Sequence, residues 1–164
     1  MLHRIAGQSL LAHVLDAVSK AGGSATAVVV GPNNDTVATE AKRVLRGVEI
    51  FVQADRRGTA HAVLAARNAI ARTPDDVLVI FGDTPLIRPQ TLLRIREALA
   101  KGAAVVVLGF RPRNATGYGR LVVDGQDALK IVPGSSLGFL REHPEQNVAT
   151  SFSALPQEVR AYAR

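Results

Sequence analysis

The sequence predicts an α/β fold, a mostly parallel sheet with helices on both faces. Two observations carry this expectation. Short β-branched runs alternate with segments of helical periodicity through the first two-thirds of the chain. Past Arg111 the texture changes, and the runs 119–123 and 128–132, around Asp124-Gly125, look like a β-hairpin.

The elements follow in order. Leu10, Leu11, Val14, Leu15 and Val18 recur with helical spacing, with Ser9 placed to cap the helix and Gly22-Gly23 to end it. Residues 25–30 are a β-branched run that reads as a buried strand. Gly31-Pro32-Asn33-Asn34-Asp35 is a turn that opens a second helix, running to about Leu45. Residues 48–53 form the next expected strand, 54–59 a loop holding Gly58, and 60–71 a helix. Thr73-Pro74-Asp75-Asp76 breaks that helix. Residues 77–81 are the third expected strand, 89–100 the following helix, and 103–110 a fourth strand. From Pro133 onward the sequence is loop-like, with Val159 and Tyr162 in a possible short terminal helix.

Composition narrows the function classes. At 164 residues the chain fits one domain or a large fragment of one, and 47% apolar content with 21% charge reads as globular. Aromatics at 4% argue against a base-stacking platform. The absence of cysteine removes disulfides and thiolate chemistry. No apolar run approaches a membrane span, and residues 1–7 lack a signal peptide's hydrophobic core, so the expected location is the cytoplasm, with no membrane partner. The net charge of +6 comes from scattered basic residues. That pattern fits a solvated surface, or the steering of a phosphate-bearing substrate, better than a nucleic-acid interface.

Three constellations bear on chemistry. Asp83 lies in Phe81-Gly82-Asp83-Thr84-Pro85-Leu86-Ile87, just past the apolar run 77–80. In open α/β sheets, ligands bind beyond the C-terminal ends of the strands. A lone carboxylate there can hold Mg²⁺ when substrate phosphates complete the coordination. Its structural alternative is a helix-leading turn.

The second is Gln53 followed by Gly58-Thr59-Ala60-His61-Ala62. Glutamine offers a donor and an acceptor, which suits a nucleobase edge, and Gly58 and Thr59 offer backbone N–H groups and a hydroxyl where a helix begins. The alternative is a plain N-cap with His61 in solvent. The third is Thr116-Gly117-Tyr118-Gly119-Arg120, whose glycines allow close backbone approach to a substrate or merely a tight turn. No Ser/His/Asp arrangement, metal-ligand histidine spacing, Walker loop or Gly-x-Gly-x-x-Gly is present.

Together, in this order and spacing, these motifs resemble the pyrophosphorylase domain of bacterial bifunctional N-acetylglucosamine-1-phosphate uridylyltransferases. These belong to the MobA-like NTP transferases of the nucleotide-diphospho-sugar transferase superfamily. The resemblance covers residues 1 to about 132, leaving 133–164 as an atypical tail. It implies a Rossmann-like sheet and the reaction of UTP with N-acetylglucosamine 1-phosphate to give UDP-N-acetylglucosamine, a cell-wall precursor, and pyrophosphate. It further implies that Asp83 is the Mg²⁺ ligand and that Gln53, Gly58 and Thr59, with Phe81 and Gly82, bind the nucleotide. Gly119 would contact the amino sugar.

The departures from the family pattern are specific. The family's first strand, its glycine-rich triphosphate loop and the following Pro-Lys have no counterpart, since Met1 stands where the Val after them would be. That strand is central in the family's sheet, so exposed strand edges and impaired activity are expected. Pro133 replaces a Glu, and Asn147-Val148-Ala149 does not reproduce the sugar-holding Asn motif. Two other readings stay open. One is a molybdenum-cofactor cytidylyl- or guanylyltransferase; the other is a non-catalytic sugar-nucleotide-binding or vestigial fragment.

Overall fold

The computed structural model describes residues 1–55, 57–72, 76–103, 105–109, 119–123, 129–132 and 148–150. The chain divides into two compact units, Met1–Pro89 and Gln90–Arg164.

The first unit opens with a hairpin, β1 (Arg4–Ile5) antiparallel to β2 (Gln8–Ser9). Its turn places Ala6 at φ 49° and Gly7 at φ 82°. Two successive positive φ values define the tight turn that matches strand twist. Helix α1 (Leu10–Lys20) follows directly. Ser9 caps it as expected, its Oγ accepting from the Ala12 N–H at 3.1 Å. The end is also as expected. Gly22 takes φ 77°, its N–H donates to the Ser19 carbonyl, and the Gly23 N–H reaches back to the Val18 carbonyl. That pair of bonds satisfies carbonyls the helix leaves open.

Strand β3 (Ala27–Val30) leads into α2 (Asp35–Val44), and β4 (Glu49–Val52) returns parallel to β3 with Val28 opposite Ile50 and Val30 opposite Val52. Asp35 in the first turn of α2, with Lys42 and Arg43 in its last, complements the helix dipole. Leu11 and Leu15 of α1 bury against Ala41 of α2 and Val48, with Val28, Val37, Val44, Leu45 and Ile50 around them. Apolar residues three and four apart on the helices and β-branched residues on the strands produce this layered core.

A polar bond crosses from α1's cap to α2. The Ser9 Oγ donates to Glu40 Oε1 at 2.7 Å, and Arg43 holds the same carboxylate through Nε and a terminal nitrogen at 2.7 and 2.9 Å. The hydrogen bonds from Arg43, and then from Ser9, pull the Glu40 carboxyl down to about 2.

The helix expected over 60–71 is two pieces, α3 (Thr59–Ala65) and α4 (Arg67–Ile70), separated at Ala66, and the residues there include no helix breaker. The strand expected over 77–81 is not formed: this stretch joins no β-ladder. Val77, Val79 and Phe81 are 45%, 47% and 41% exposed. An interior strand of a parallel sheet would be covered on both faces. A β-branched run favours extension but becomes a strand only when a neighbouring backbone takes up its N–H and C=O groups.

Helix α5 (Pro89–Ala100) begins at Pro89, the last residue of the first unit and a residue suited to a first helical position, and continues into the second unit, burying Leu92 and Ile95. It closes as α1 does, with Gly102 at φ 101° and the Ala103 N–H donating to the Ala98 carbonyl. The fourth expected strand is also absent over 103 and 105–109; Ala104 and Phe110 lie outside the described residues. The expected hairpin is present as β5 (Gly119–Val123) antiparallel to β6 (Leu129–Val132). Strand β7 (Val148–Thr150) pairs with β5 on its other edge, Gly119 opposite Thr150. The turn at Asp124-Gly125 and the terminal stretch holding Val159 and Tyr162 lie outside the described residues. Among the described residues, no helix is long and apolar enough to cross a membrane.

Candidate functional site

Gln53, Gly58, His61 and Ala62 gather around one backbone carbonyl, that of Gly58, while Phe81 and Gly82 lie in a separate turn. Gln53 continues the β4 edge, its N–H donating to the Val30 carbonyl at 2.8 Å. Five residues later Gly58 takes φ 93° and ψ −177°, a conformation open essentially to glycine alone. That turn directs the Gly58 carbonyl to two donors. The Ala62 N–H donates to it at 3.1 Å, the first bond of α3. The Gln53 side-chain amide nitrogen donates to it at 3.0 Å.

The same amide nitrogen lies 3.2 Å from His61 Nδ1. The sequence alone leaves His61 as a solvent-facing residue of a helix start; the structure makes it half-buried and bonded to Gln53. Its position in the first turn of α3, two residues past Thr59, is the one signal available beforehand. Thr59 is exposed, and its hydroxyl makes no hydrogen bond among the described residues. Gly58, not Thr59, is the N-cap, so a Thr59 cap is not observed. In the intervening loop, Arg57 pairs with Asp55 at 3.0 Å in solvent. Arg56 lies outside the described residues.

The carboxylate motif forms a separate tight turn. The Thr84 hydroxyl, 3% exposed, donates to the Phe81 carbonyl at 2.7 Å, and the Ile87 N–H donates to the Thr84 carbonyl. Buried Thr84 and Ile87 therefore anchor the turn, while Asp83 faces solvent on it. Gly82 sits against the start of α1: a Cβ there would come 3.2 Å from the Met1 sulfur and 3.4 Å from Leu11 Cδ1. The backbone at Gly82 is thus pressed close to α1, which displays the next residue outward.

Among the described residues, no three His, Cys, Asp or Glu side chains converge as a metal cage. A single exposed carboxylate fits a hard cation that takes its other oxygens from a bound triphosphate and water. Gly119, in the second unit, is the first residue of β5. Thr116, Gly117 and Tyr118 lie outside the described residues. An open groove of about 400 Å³ beside Glu40 includes Arg4, Asp35 and Thr39 but none of these motif residues.

Comparison with known proteins places the chain in a family. A family model described as the MobA-like NTP transferase domain matches residues 1–152. The chain is 56% identical over 149 residues to the "Bifunctional protein GlmU" of Bradyrhizobium sp. strain ORS 278, covering 91% of this chain and 31% of that protein. The protein of the same name from Azorhizobium caulinodans is 58% identical over 132 residues, covering 80% of this chain and 29% of the relative. The chain thus spans less than a third of the length of these curated relatives. A crystal structure of UDP-glucose pyrophosphorylase complexed with UDP-glucose matches with a TM-score of 0.66 at 15% identity, over 90% of this chain and 64% of that one. At that identity the likeness shows the fold, an α/β nucleotide-sugar pyrophosphorylase architecture. The family match and the identity to these relatives lead to one conclusion: the chain belongs to the MobA-like NTP transferase family.

Proposed function

We propose that this chain carries the uridylyltransferase half-reaction: UTP and N-acetylglucosamine 1-phosphate give UDP-N-acetylglucosamine and pyrophosphate. The observation that carries the reading is the 56% identity to a bifunctional GlmU protein over nearly the whole chain, a stretch that holds every motif of the resemblance. Residues 1–132 are read as the nucleotidyltransferase domain and 133–164 as an atypical tail. The cytoplasm, where nucleotide triphosphates are abundant, is the proposed location.

In this reading, a phosphate oxygen of the sugar phosphate attacks the α-phosphorus of UTP in line. The bond from that phosphorus to the bridging oxygen breaks, and pyrophosphate leaves with the electron pair. The protein supplies position and charge rather than a nucleophile. Gln53, Gly58 and Thr59 hold the uracil, with Phe81 and Gly82 completing the nucleotide contact. Asp83 would hold Mg²⁺, which when bound would supply positive charge against the phosphates. Gly119 contacts the amino sugar. The bond from the Gln53 NH₂ to the Gly58 carbonyl supports the nucleobase role, because it occupies the nitrogen end of the amide and leaves the oxygen end for a ligand.

The test is pyrophosphate release from UTP and N-acetylglucosamine 1-phosphate with Mg²⁺. Release that disappears in Asp83→Ala is the expected result. Unchanged release in that variant removes Asp83 from the mechanism. Binding of UDP-N-acetylglucosamine without any release would reduce the chain to a non-catalytic binder.

A further inference from the structure

The Gln53 amide is held by two groups that can only be acceptors toward it. A backbone carbonyl accepts and never donates. The Gln53 group lying 3.0 Å from the Gly58 carbonyl must therefore be the NH₂ end. That NH₂ is also 3.2 Å from His61 Nδ1. An amide nitrogen donates and does not accept, so Nδ1 is the acceptor and the ring proton resides on Nε2. Both NH₂ hydrogens are then used within the protein. Among the described residues nothing donates to Gln53 Oε1.

We infer that His61 is a positioning residue for base selection. By accepting the second NH₂ hydrogen, it locks Gln53 so that only the amide oxygen is offered to a ligand. This inference rests on the reading that Gln53 meets the pyrimidine base. Uracil presents a donor at N3, flanked by two carbonyls. Cytosine presents an acceptor at N3. An amide free to rotate could satisfy either base by exchanging its oxygen and nitrogen ends. A locked amide satisfies uracil and sets its oxygen against the cytosine N3 lone pair. Gly58 alone leaves one hydrogen of the NH₂ unsatisfied in a half-buried position, and a buried amide with an unmet donor is free to seek another arrangement.

The experiment is equilibrium binding of UTP and of CTP to the full chain, comparing wild type, His61→Ala and His61→Asn. The wild type prefers UTP. His61→Ala lowers the UTP-to-CTP preference by roughly tenfold, the worth of one neutral hydrogen bond. His61→Asn, whose side-chain carbonyl accepts near the position of Nδ1, restores most of the preference. A merely structural role would weaken both nucleotides alike and leave their ratio unchanged. An unchanged ratio in folded His61→Ala, or failure of His61→Asn to restore it, overturns the inference while the uridylyltransferase reading stands. A wild type without preference for UTP overturns both.

If His61→Ala does not fold, the Gln53 side-chain NH₂ of the wild type decides by NMR. Both hydrogens protected from solvent exchange support the lock. Exchange as fast as in a free glutamine overturns it.

Discussion

The Ser9 hydroxyl accepts from the α1 backbone at Ala12 and donates to Glu40 on α2, so one buried side chain both starts a helix and fastens it to its neighbour. The two roles are inseparable in the folded chain. A hydroxyl can donate one hydrogen and still accept through a lone pair. Alanine at this position loses the cap and leaves Glu40 with Arg43 alone.

Ser9→Ala is therefore expected to cost about 1–2 kcal/mol, the upper part of the range for a lost N-cap. The midpoint of urea unfolding measures it. Ser9→Asn, which keeps a capping oxygen, recovers part of the loss; a loss of equal size in both variants assigns the whole effect to the Glu40 bond.

Glu40 makes stability pH-dependent at the acid end. The hydrogen bonds from Arg43 and Ser9 hold its folded-state pKa at about 2, below its ordinary value of 4.5. The contribution is present in full above the unfolded value and falls away as pH drops through the folded one. Unfolding free energy should thus decline between about pH 4.5 and pH 2, and Glu40→Gln should flatten that decline. A decline of the same slope in Glu40→Gln assigns the acid sensitivity to other carboxylates.

Leu15 is 3% exposed and packs in the core formed by Leu11, Ala41 and Val48. Leu15→Ala removes buried methyl groups and leaves a void, at a cost of about 2–5 kcal/mol. Chemical denaturation reads this directly. A cost below 1 kcal/mol would mean that α1 and α2 close over the space.

Gly58 holds φ 93° with nothing among the described residues within 4 Å of a notional Cβ, so the described neighbours leave room for a side chain. The obstacle is the backbone itself. Gly58→Ala should destabilise by about 1–3 kcal/mol and weaken uridine nucleotide binding, because relaxing the turn moves its carbonyl away from Gln53. Intact nucleotide binding in a destabilised Gly58→Ala would separate the turn from the proposed base site.

Asp83 faces solvent, and Asp83→Asn should change the unfolding free energy by less than about 0.5 kcal/mol. The Mg²⁺-dependent part of nucleotide binding should disappear in the same variant, as titration calorimetry with and without Mg²⁺ would show. Survival of that part assigns the ion to another group.

Local signals marked α1 at both ends, since Ser9 and Gly22-Gly23 state their geometry in their own chemistry. The hairpin pairing Gly119–Val123 with Leu129–Val132 was legible for the same reason: turn residues sit between two β-branched runs. Residues 77–81 read as a strand and do not form one, because their composition records a preference for extension and not the presence of a partner, and pairing is decided by chain far away in sequence. The Ala6-Gly7 turn escaped notice because its strands are only two residues each. Of the candidate site, the residue types at Gln53, Gly58 and Asp83 were readable. The bond from Gln53 to His61 was not, because it depends on the one glycine turn that folds an eight-residue separation back on itself.

If Gln53 meets the base as proposed, the doubly bonded carbonyl of Gly58 would tie base binding to a local folding equilibrium. Helix α3 has only seven residues, too few to be stable alone in water. Whenever its first turn unwinds, the oxygen that holds Ala62 swings away, and the Gln53 amide loses one anchor in the same event. On that proposal, the population of molecules ready for a base would be set by how often seven residues are helical, and the apparent affinity would scale with that fraction. A bound nucleotide that pins Gln53 would in return slow hydrogen exchange at the Ala62 amide, a group that need not touch the ligand.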